Sequence, residues 1–424
     1  MSMVFKKLKG KNTKQKSDAN YIVALDIGTE FVKALISRIK GDNLEIVGVG
    51  RKRQEVGDMH SGAIADIDSV VRNCEAALNE AEEMAGAQAK KVVVGIAGEL
   101  VKGTTSAIRY RRPQPNDPLD EDEMEFIIDK VQERAKEKAQ KQIAIETGNQ
   151  DVEVKLVNAA LVGIHIDGYK VSNPIGFQGK DVAVQIYTAF APMLHIGAIE
   201  RVTDELSLEL IAVAAEPFAV SRSVIGNDVS SNFTAILADI GGGTTDIAVI
   251  DDGGVEGTKM FGIGGRSFTR QIANALNLDY EEAEDVKLNI EDDELDSDVK
   301  DSATVAINKT LDVWLSGVSL ALEEFDSVDH LPNKFLLCGG GSSLRVIQDI
   351  LSDGDWYKSL PFTHRPKVQL IRPEEVMGIM NETNISLDHT FITAMGLLRV
   401  GYDTLSSVSD GDSLKDKISK ILRV

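Results

Sequence analysis

The sequence predicts an α/β protein built as two similar half-domains around one phosphate-binding cleft, with a smaller α/β unit inserted in the first half. Three observations carry this. An apolar strand pattern runs into Asp239-Ile-Gly241-Gly242-Gly243-Thr244-Thr245-Asp246 and resumes as Ile247-Ala-Val249. A matching strand, acid and turn stands about two hundred residues earlier, at Tyr21-Ile-Val-Ala-Leu-Asp26-Ile-Gly28-Thr29-Glu30, with a second β-rich run from Phe31. A third apolar strand, Lys334 to Cys338, ends in Gly339, Gly340 and Gly341 before a helical pattern. Two hairpins of one type this far apart imply duplicated halves facing one cleft, which is far more specific than either turn.

The glycine run sets the chemistry. Gly241, Gly242 and Gly243 can take positive φ and let the backbone crowd an anion, while successive N–H groups point into one concavity. Two anions repel, so Asp239 beside a phosphate cradle makes sense if it holds a hydrated cation such as Mg²⁺. Taken alone, the same run would also serve as a glycine-rich turn between strands.

At 424 residues the chain suits roughly two to four units and a large core. Its 43% hydrophobic and 27% charged residues are those of a soluble globular protein. No run approaches the roughly 20 apolar residues that span a bilayer. The lysine-rich start has no apolar stretch behind it to make a secretory signal, so the chain is expected to stay inside the cell. A net charge of −21 argues against a nucleic-acid partner and leaves any membrane contact to local basic segments. Cys74 and Cys338 lie far apart in apolar patterns and read as buried free thiols.

In chain order, residues 1–19 form a flexible basic tail with Lys6, Lys7, Lys9, Lys11, Lys14 and Lys16. Residues 20–90 begin the first half, with a helix over 68–85 that puts Val70, Val71, Cys74, Ala77, Leu78 and Ala81 on one face. The inserted unit is expected over 91–191: a strand near 90–98, a helix over 121–139, then strands around turns at Asp167-Gly168 and Gly176 to Gly179. It carries no catalytic constellation. Residues 192–228 return to the first half, with Glu216-Pro217 opening a helix.

The second half is expected over 229–384, with a smaller subdomain at about 259–330. There Gly262, Gly264 and Gly265 make a tight turn before a helix starting near Ser267, and Glu284 and Lys287 share one face of a helix over 280–288. The acidic run 291–301 reads as a solvated loop and 304–325 as a long helix. Ser342 or Ser343 is expected to cap the helix after the third glycine run, whose backbone can approach a purine or its phosphates. A helix over 385–402 returns to the first half. Residues 403–424 read as a flexible linker and a basic amphipathic helix, with Leu414, Ile418, Ile421 and Leu422 on one side and Lys415, Lys417, Lys420 and Arg423 on the others. That helix would suit a membrane surface better than docking on its own domain, and would need many copies to anchor.

In order and spacing, the three glycine motifs resemble the phosphate 1, phosphate 2 and adenosine motifs of the actin/DnaK-type ATPase superfamily. Within it, the inserted unit, Gly262-Ile-Gly-Gly-Arg266-Ser-Phe-Thr and Ala283-Glu-Asp-Val-Lys287 resemble the FtsA family of bacterial cell division, over about residues 20–402. The basic N-terminal tail departs from that family's plan. The resemblance implies an actin-like ATPase fold: two ribonuclease-H-like half-domains around a nucleotide cleft, with an inserted SHS2-type subdomain. It implies ATP and Mg²⁺ as cofactors, with Asp26 and Asp239 at the metal's waters. Asp26, Gly28 and Thr29 would meet the phosphates from one side, and Asp239, Gly241, Gly242, Gly243, Thr244 and Thr245 from the other. Gly264 and Gly265 would complete the phosphate-side wall, Gly340, Gly341 and Ser342 would back the adenosine, and Glu284 and Lys287 would contact ribose and base.

Hydrolysis needs a group that orients water. Glu216 or Asp246 could do this, although Glu216 would equally suit a helix start as a dipole-favoured acid. The resemblance further implies weak ATPase activity, with the nucleotide controlling polymerisation into filaments at the cytoplasmic face of the inner membrane. It implies a tether to the C-terminal peptide of the tubulin-like FtsZ, contacts with other division proteins through the inserted subdomain, and anionic lipid under the C-terminal helix. Arg266 and Lys259 would face the FtsZ peptide or simply be solvated. A PilM-like component of type IV pilus assembly is the alternative, disfavoured by the amphipathic tail. A sugar-kinase relative lacks a second polar constellation, and a chaperone would need a substrate domain after residue 402.

Overall fold

The computed structural model describes residues 21–225, 233–291, 295–325 and 328–408. The amphipathic segment with Leu414, Ile418, Ile421 and Leu422, and the basic N-terminal tail, lie outside these residues.

The first half starts as a three-stranded antiparallel meander, β1 (Tyr21–Ile27), β2 (Phe31–Lys40) and β3 (Asn43–Arg53), each rich in the β-branched and aliphatic residues that fill a two-sided core. A two-residue-strand hairpin follows, β4 (Met59–His60) with β5 (Ala63–Ile64), and then α1 (Ile67–Ala85). Asp66 caps α1 by accepting from the Ser69 N–H at 3.0 Å, and Gly86 ends it at φ 60°. The helix buries Val70, Cys74, Ala77, Leu78 and Ala81. It lies so close to β3 that a Cβ on Gly50 would sit 1.8 Å from the Ala77 carbonyl oxygen. Strand β6 (Lys91–Ile96) pairs in parallel with β1, so it belongs to this sheet. The inserted unit therefore begins after it, and not at 91: an all-apolar strand reads alike in either sheet.

The insert comprises β7 (Lys102–Arg111), α2 (Glu121–Thr147), β8 (Val154–Ile166), β9 (Tyr169–Lys170) and β10 (Asp181–Pro192), with its own small core around Met124, Ile127, Val182 and Val184. The chain returns through α3 (Met193–Glu205), β11 (Glu209–Ala215), which pairs with β6, and α4 (Glu216–Ile225).

The second half repeats the plan. Strands β12 (Ala235–Ile240), β13 (Thr245–Asp251) and β14 (Gly254–Phe261) form the meander. After α5 (Gly265–Leu276), α6 (Tyr280–Leu288) and α7 (Ser297–Glu323), strand β15 (Lys334–Cys338) pairs in parallel with β12 as β6 does with β1. Helix α8 (Arg345–Asp353) leads to β16 (Lys367–Leu370), parallel to β15 as β11 is to β6. Strand β17 (Ile379–Asn381) then joins the far edge of the first sheet beside β3, and α9 (Ile392–Val408) packs on α4. The sheet orders are β11-β6-β1-β2-β3-β17 and β16-β15-β12-β13-β14-β7-β10-β8-β9. The insert thus continues the second half's sheet, through two residue pairs, Gly257 with Thr104 and Thr258 with Gly103.

Three boundaries differ from expectation. The long helix starts at Ser297, because the Asp296 carboxylate accepts from the Asp298 and Val299 N–H groups; part of the acidic run is a cap and a first turn. Ile371, Val376 and Ile379 pack in the first half's core, so the return precedes 385. Helix α9 runs six residues past 402, held by ion pairs of Asp403 with Arg222 and Arg399. Among the described residues no helix is long and apolar enough to cross a membrane.

Candidate functional site

The turns of both meanders and the third glycine run open on one cleft, with a cavity volume of about 500 Å³. Its floor is set by hairpin register. Asp26 on β1 lies directly opposite Lys33 on β2, and Asp239 on β12 directly opposite Asp246 on β13. The first hairpin compensates its acid: the Lys33 ammonium donates to Asp26 Oδ2 at 2.9 Å. Burial works against that ammonium, but Asp26 beside it outweighs the penalty and holds its pKa above the usual value. The second hairpin puts like charges across from each other, an arrangement that costs stability unless a cation intervenes.

Glu216, the first residue of α4, completes the cluster and is 8% exposed. Burial, then the charges of Asp26, Asp246 and Asp239, push its pKa well above the usual carboxylate range. Burial and then Asp239 do the same to Asp246. Burial raises Asp239, although Thr393 on α9 donates to its Oδ2. Asp246 Oδ2 accepts from the Thr244 hydroxyl at 3.1 Å, while its Oδ1 is buried with no partner. Four carboxyl groups therefore cluster on the cleft floor, where the Lys33 ammonium is bonded to Asp26 alone.

The backbone around them is tightly interlocked. A Cβ on Gly242 would sit 2.8 Å from that of Glu30, and one on Gly243 2.7 Å from the Thr29 hydroxyl, so the two phosphate-type turns touch across the cleft. None of Gly241, Gly242 or Gly243 takes positive φ; close approach is what requires glycine there. The Gly265 and Arg266 N–H groups donate to the Gly241 and Gly242 carbonyls at 2.9 and 2.8 Å, docking the Gly264-Gly265 turn on the hairpin. Gly339, at φ 81°, would carry a Cβ 2.1 Å from Asp239 Oδ1. On the far wall Lys287 bonds Glu284 at 2.7 Å, the Thr269 hydroxyl at 2.9 Å and the Gly265 carbonyl at 3.3 Å.

The sequence has relatives. A family model for cell division protein FtsA matches residues 236–396. The cell division protein FtsA of Pseudomonas aeruginosa is 27% identical over 418 residues, covering 93% of this chain and 91% of that one. The chain is thus similar to FtsA proteins along most of its length. The Bacillus subtilis FtsA is 26% identical over 355 residues, 78% of this chain and 76% of that one. A chain of a solved PilM–PilN type IV pilus biogenesis complex superposes with a TM-score of 0.64 at 18% identity, over 90% of this chain and 98% of that chain. That likeness shows the fold, an actin-like ATPase fold shared by FtsA relatives and PilM.

In this chain Asp26, Gly28, Thr29, Glu216, Asp239, Gly241, Gly242, Thr244, Asp246, Gly265, Glu284, Lys287, Gly340 and Gly341 all line the cleft. Four expected residues stand behind it. Thr245 is fully buried, donating to the Ile263 carbonyl at 2.7 Å and accepting from the Trp314 indole at 2.9 Å. Gly243 and Gly264 are spacers between turns. Ser342 caps nothing in α8; its buried hydroxyl closes on the Gly339 carbonyl at 2.6 Å, and Ser343 faces the cleft instead. Arg266 is buried at 5% exposure and pairs with Glu30, which removes it from any peptide-binding surface, and Lys259 is paired with Glu324.

Sequence reasoning missed Lys33, Arg51 and Thr393. Arg51 lines the cleft with its guanidinium 3.6 Å from the Phe31 ring centroid. Lys33 was findable: a lysine inside an apolar strand, seven residues after Asp26 across a tight turn, falls opposite it.

Among the described residues no three Asp, Glu, His or Cys side chains converge into a metal cage. Mg²⁺ keeps most of its waters and is held by one or two carboxylates and by phosphates. An excess of buried carboxylates with one orphaned oxygen fits such a hydrated ion.

Proposed function

We propose that this chain is an ATP- and Mg²⁺-dependent clamp that acts in bacterial cell division, polymerising at the cytoplasmic face of the inner membrane and tethering the FtsZ ring through the FtsZ C-terminal peptide. What carries the reading is the register of the two hairpins. Each half aims one acid at the same cleft, and in the second half Asp239 faces Asp246 across the hairpin where the first half has Lys33, so the cleft carries an excess of carboxylates that a cation would offset. Asp26 and Asp239 would hold Mg²⁺ through its waters. The backbone at Gly28, Thr29, Gly241, Gly242 and Thr244 would meet the phosphates, and Gly340, Gly341, Glu284 and Lys287 would frame the adenosine.

Bound Mg²⁺ neutralises phosphate charge and so favours attack on the terminal phosphoryl group. Glu216 and Asp246 supply the residues that position water. The Asp246 oxygen without a partner is an acceptor for one, and Glu216 holds its proton more tightly than an ordinary carboxyl. Such a site suits slow turnover, with the nucleotide setting closure of the halves. Self-association into filaments, contacts of the inserted unit with other division proteins, and anionic lipid under the C-terminal segment belong to the same proposal.

Electron microscopy on an anionic lipid monolayer tests it. Filaments are expected only when ATP, Mg²⁺ and lipid are all present, and are expected to leave the monolayer when residues 413–424 are deleted. Discrete rings, monomers under all conditions, or unchanged lipid binding by the truncated chain would refute it.

A further inference from the structure

Arg266 joins the halves. It belongs to α5 in the second half, immediately after the turn that docks on Gly241 and Gly242, yet its side chain is spent on the first half. Nε donates to Glu30 Oε2 at 2.6 Å, one Nη to the Val56 carbonyl at 3.3 Å, and the other to the Gln54 and Glu55 carbonyls at 3.4 and 3.5 Å. Four of the five guanidinium N–H donors are thereby committed. A solvated surface arginine makes no such set, and a phosphate-binding arginine would keep its fork free.

Its acceptor is equally well placed. Glu30 follows Thr29 in the first phosphate-type turn, and its second oxygen accepts from Arg53 Nε at 2.7 Å. Arg53 in turn pairs with Glu281 on α6, back in the second half. Two ion pairs therefore cross between the halves at Glu30 and Glu281, the first buried and the second at the rim. The acids on the cleft floor pull the other way: brought together by closure, Asp26 and Asp239 repel unless a cation lies between them.

We infer that Arg266 is a positioning residue, a latch that holds the two phosphate loops in closed register and sets how long a nucleotide stays in the cleft. Closure inserts the guanidinium between Glu30 and the carbonyls of residues 54–56, and opening must withdraw it. The consequence for nucleotide rests on the reading proposed above; the effect on closure does not.

The test uses the full-length protein with Arg266→Met, Arg266→Lys, Glu30→Gln and the double variant Glu30→Gln with Arg266→Met. Arg266→Met keeps the aliphatic volume and leaves Glu30 paired with Arg53; Arg266→Lys provides a second, milder perturbation that keeps a donor at the site. Two readouts are taken: the radius of gyration without nucleotide by small-angle scattering, and the dissociation rate of a fluorescent ATP analogue with Mg²⁺. Arg266→Met is expected to expand the nucleotide-free protein and to speed dissociation on the order of tenfold. Arg266→Lys should recover part of both, and the double variant should lose less than the sum of the two single losses, since Glu30 and Arg266 act on closure as one pair. A residue that merely packs would give additive losses and no recovery by lysine. Unchanged scattering and dissociation in Arg266→Met would overturn the latch, as would additive effects. If the wild type binds no ATP analogue, the proposed function fails and the scattering comparison alone decides the latch.

Discussion

Two neighbouring glycines in the third run should respond to the same substitution in opposite ways. A Cβ on Gly341 would lie 2.5 Å from Ile240 Cγ2 and 2.9 Å from the Ile240 carbonyl oxygen, both parts of the strand that carries Asp239. The backbone there cannot yield, so Gly341→Ala overpacks and should cost about 1–3 kcal/mol of stability. A Cβ on Gly340 would meet nothing within 4 Å, because this residue faces the cleft. Its φ is not positive, so alanine brings no strain and should even add about 0.4–1 kcal/mol by restricting the unfolded chain. Against a bound nucleotide, however, the new methyl sits where the ligand approaches. A similar overpacking cost of about 1–3 kcal/mol would then weaken affinity about 5- to 150-fold. Melting curves with and without ATP and Mg²⁺ separate the two effects. ATP at about 100 times its Kd stabilises wild type by about 2.7 kcal/mol, and a tenfold weaker Kd reduces this to about 1.4 kcal/mol. Gly340→Ala should melt slightly later than wild type when empty and gain less from ATP; Gly341→Ala should melt earlier when empty. Wild-type affinity in Gly340→Ala would refute the placement of adenosine against this turn. A wild-type melting point in Gly341→Ala would refute the packing argument.

Two further outcomes follow from the charge balance of the cleft. Lys33→Met removes the one buried ammonium beside Asp26 and should destabilise the empty protein by about 3–5 kcal/mol, with part of the loss restored by millimolar Mg²⁺; an equal loss with and without Mg²⁺ would count against a cation site. Glu216, Asp246 and Asp239 all have pKa values raised by burial. A carboxyl that binds its proton more tightly folded than unfolded contributes stability that is full below the ordinary range near about 4 and is lost as pH rises through the folded value. The melting temperature without nucleotide should therefore rise as pH falls from about 7 toward 5, and Glu216→Gln should flatten that rise; an unchanged profile in Glu216→Gln would exclude this residue from the cluster.

Much of the fold was legible because the duplicated element is local. Strand, acid, turn and returning strand are encoded within a dozen residues at Asp26 and again at Asp239, and apolar alternation reports each strand directly. What failed was any property that depends on which distant partner a segment meets. Val92 to Val94 read as a buried strand whichever sheet they join, so the start of the insert was misplaced. Ser342 and Ser343 are adjacent and chemically alike; only the short 3₁₀ turn over Gly340–Ser343 decides which of them faces the cleft. Arg266 looked like a surface charge because its partners lie more than two hundred residues away in sequence. The opposition of Asp26 to Lys33 and of Asp239 to Asp246, by contrast, is a matter of hairpin register and could have been counted from the turns.

The join between insert and second half has a mechanical side. The insert is tethered covalently to the first half at both ends, while its sheet is stitched to β14 by two backbone pairs and by the Thr105 hydroxyl, which donates to the Val255 carbonyl at 2.5 Å. A Cβ on Gly103 would stand 2.0 Å from the Thr258 hydroxyl and 2.4 Å from the Tyr187 hydroxyl, so glycine there makes room for these two side chains, which meet at 3.3 Å. Any rotation that opens the cleft must therefore shear this short seam or drag the whole insert along as a lever arm. An opening of the cleft would then be felt farthest from it, at the tip of the insert, where a displacement of the halves is geared up with distance from the hinge.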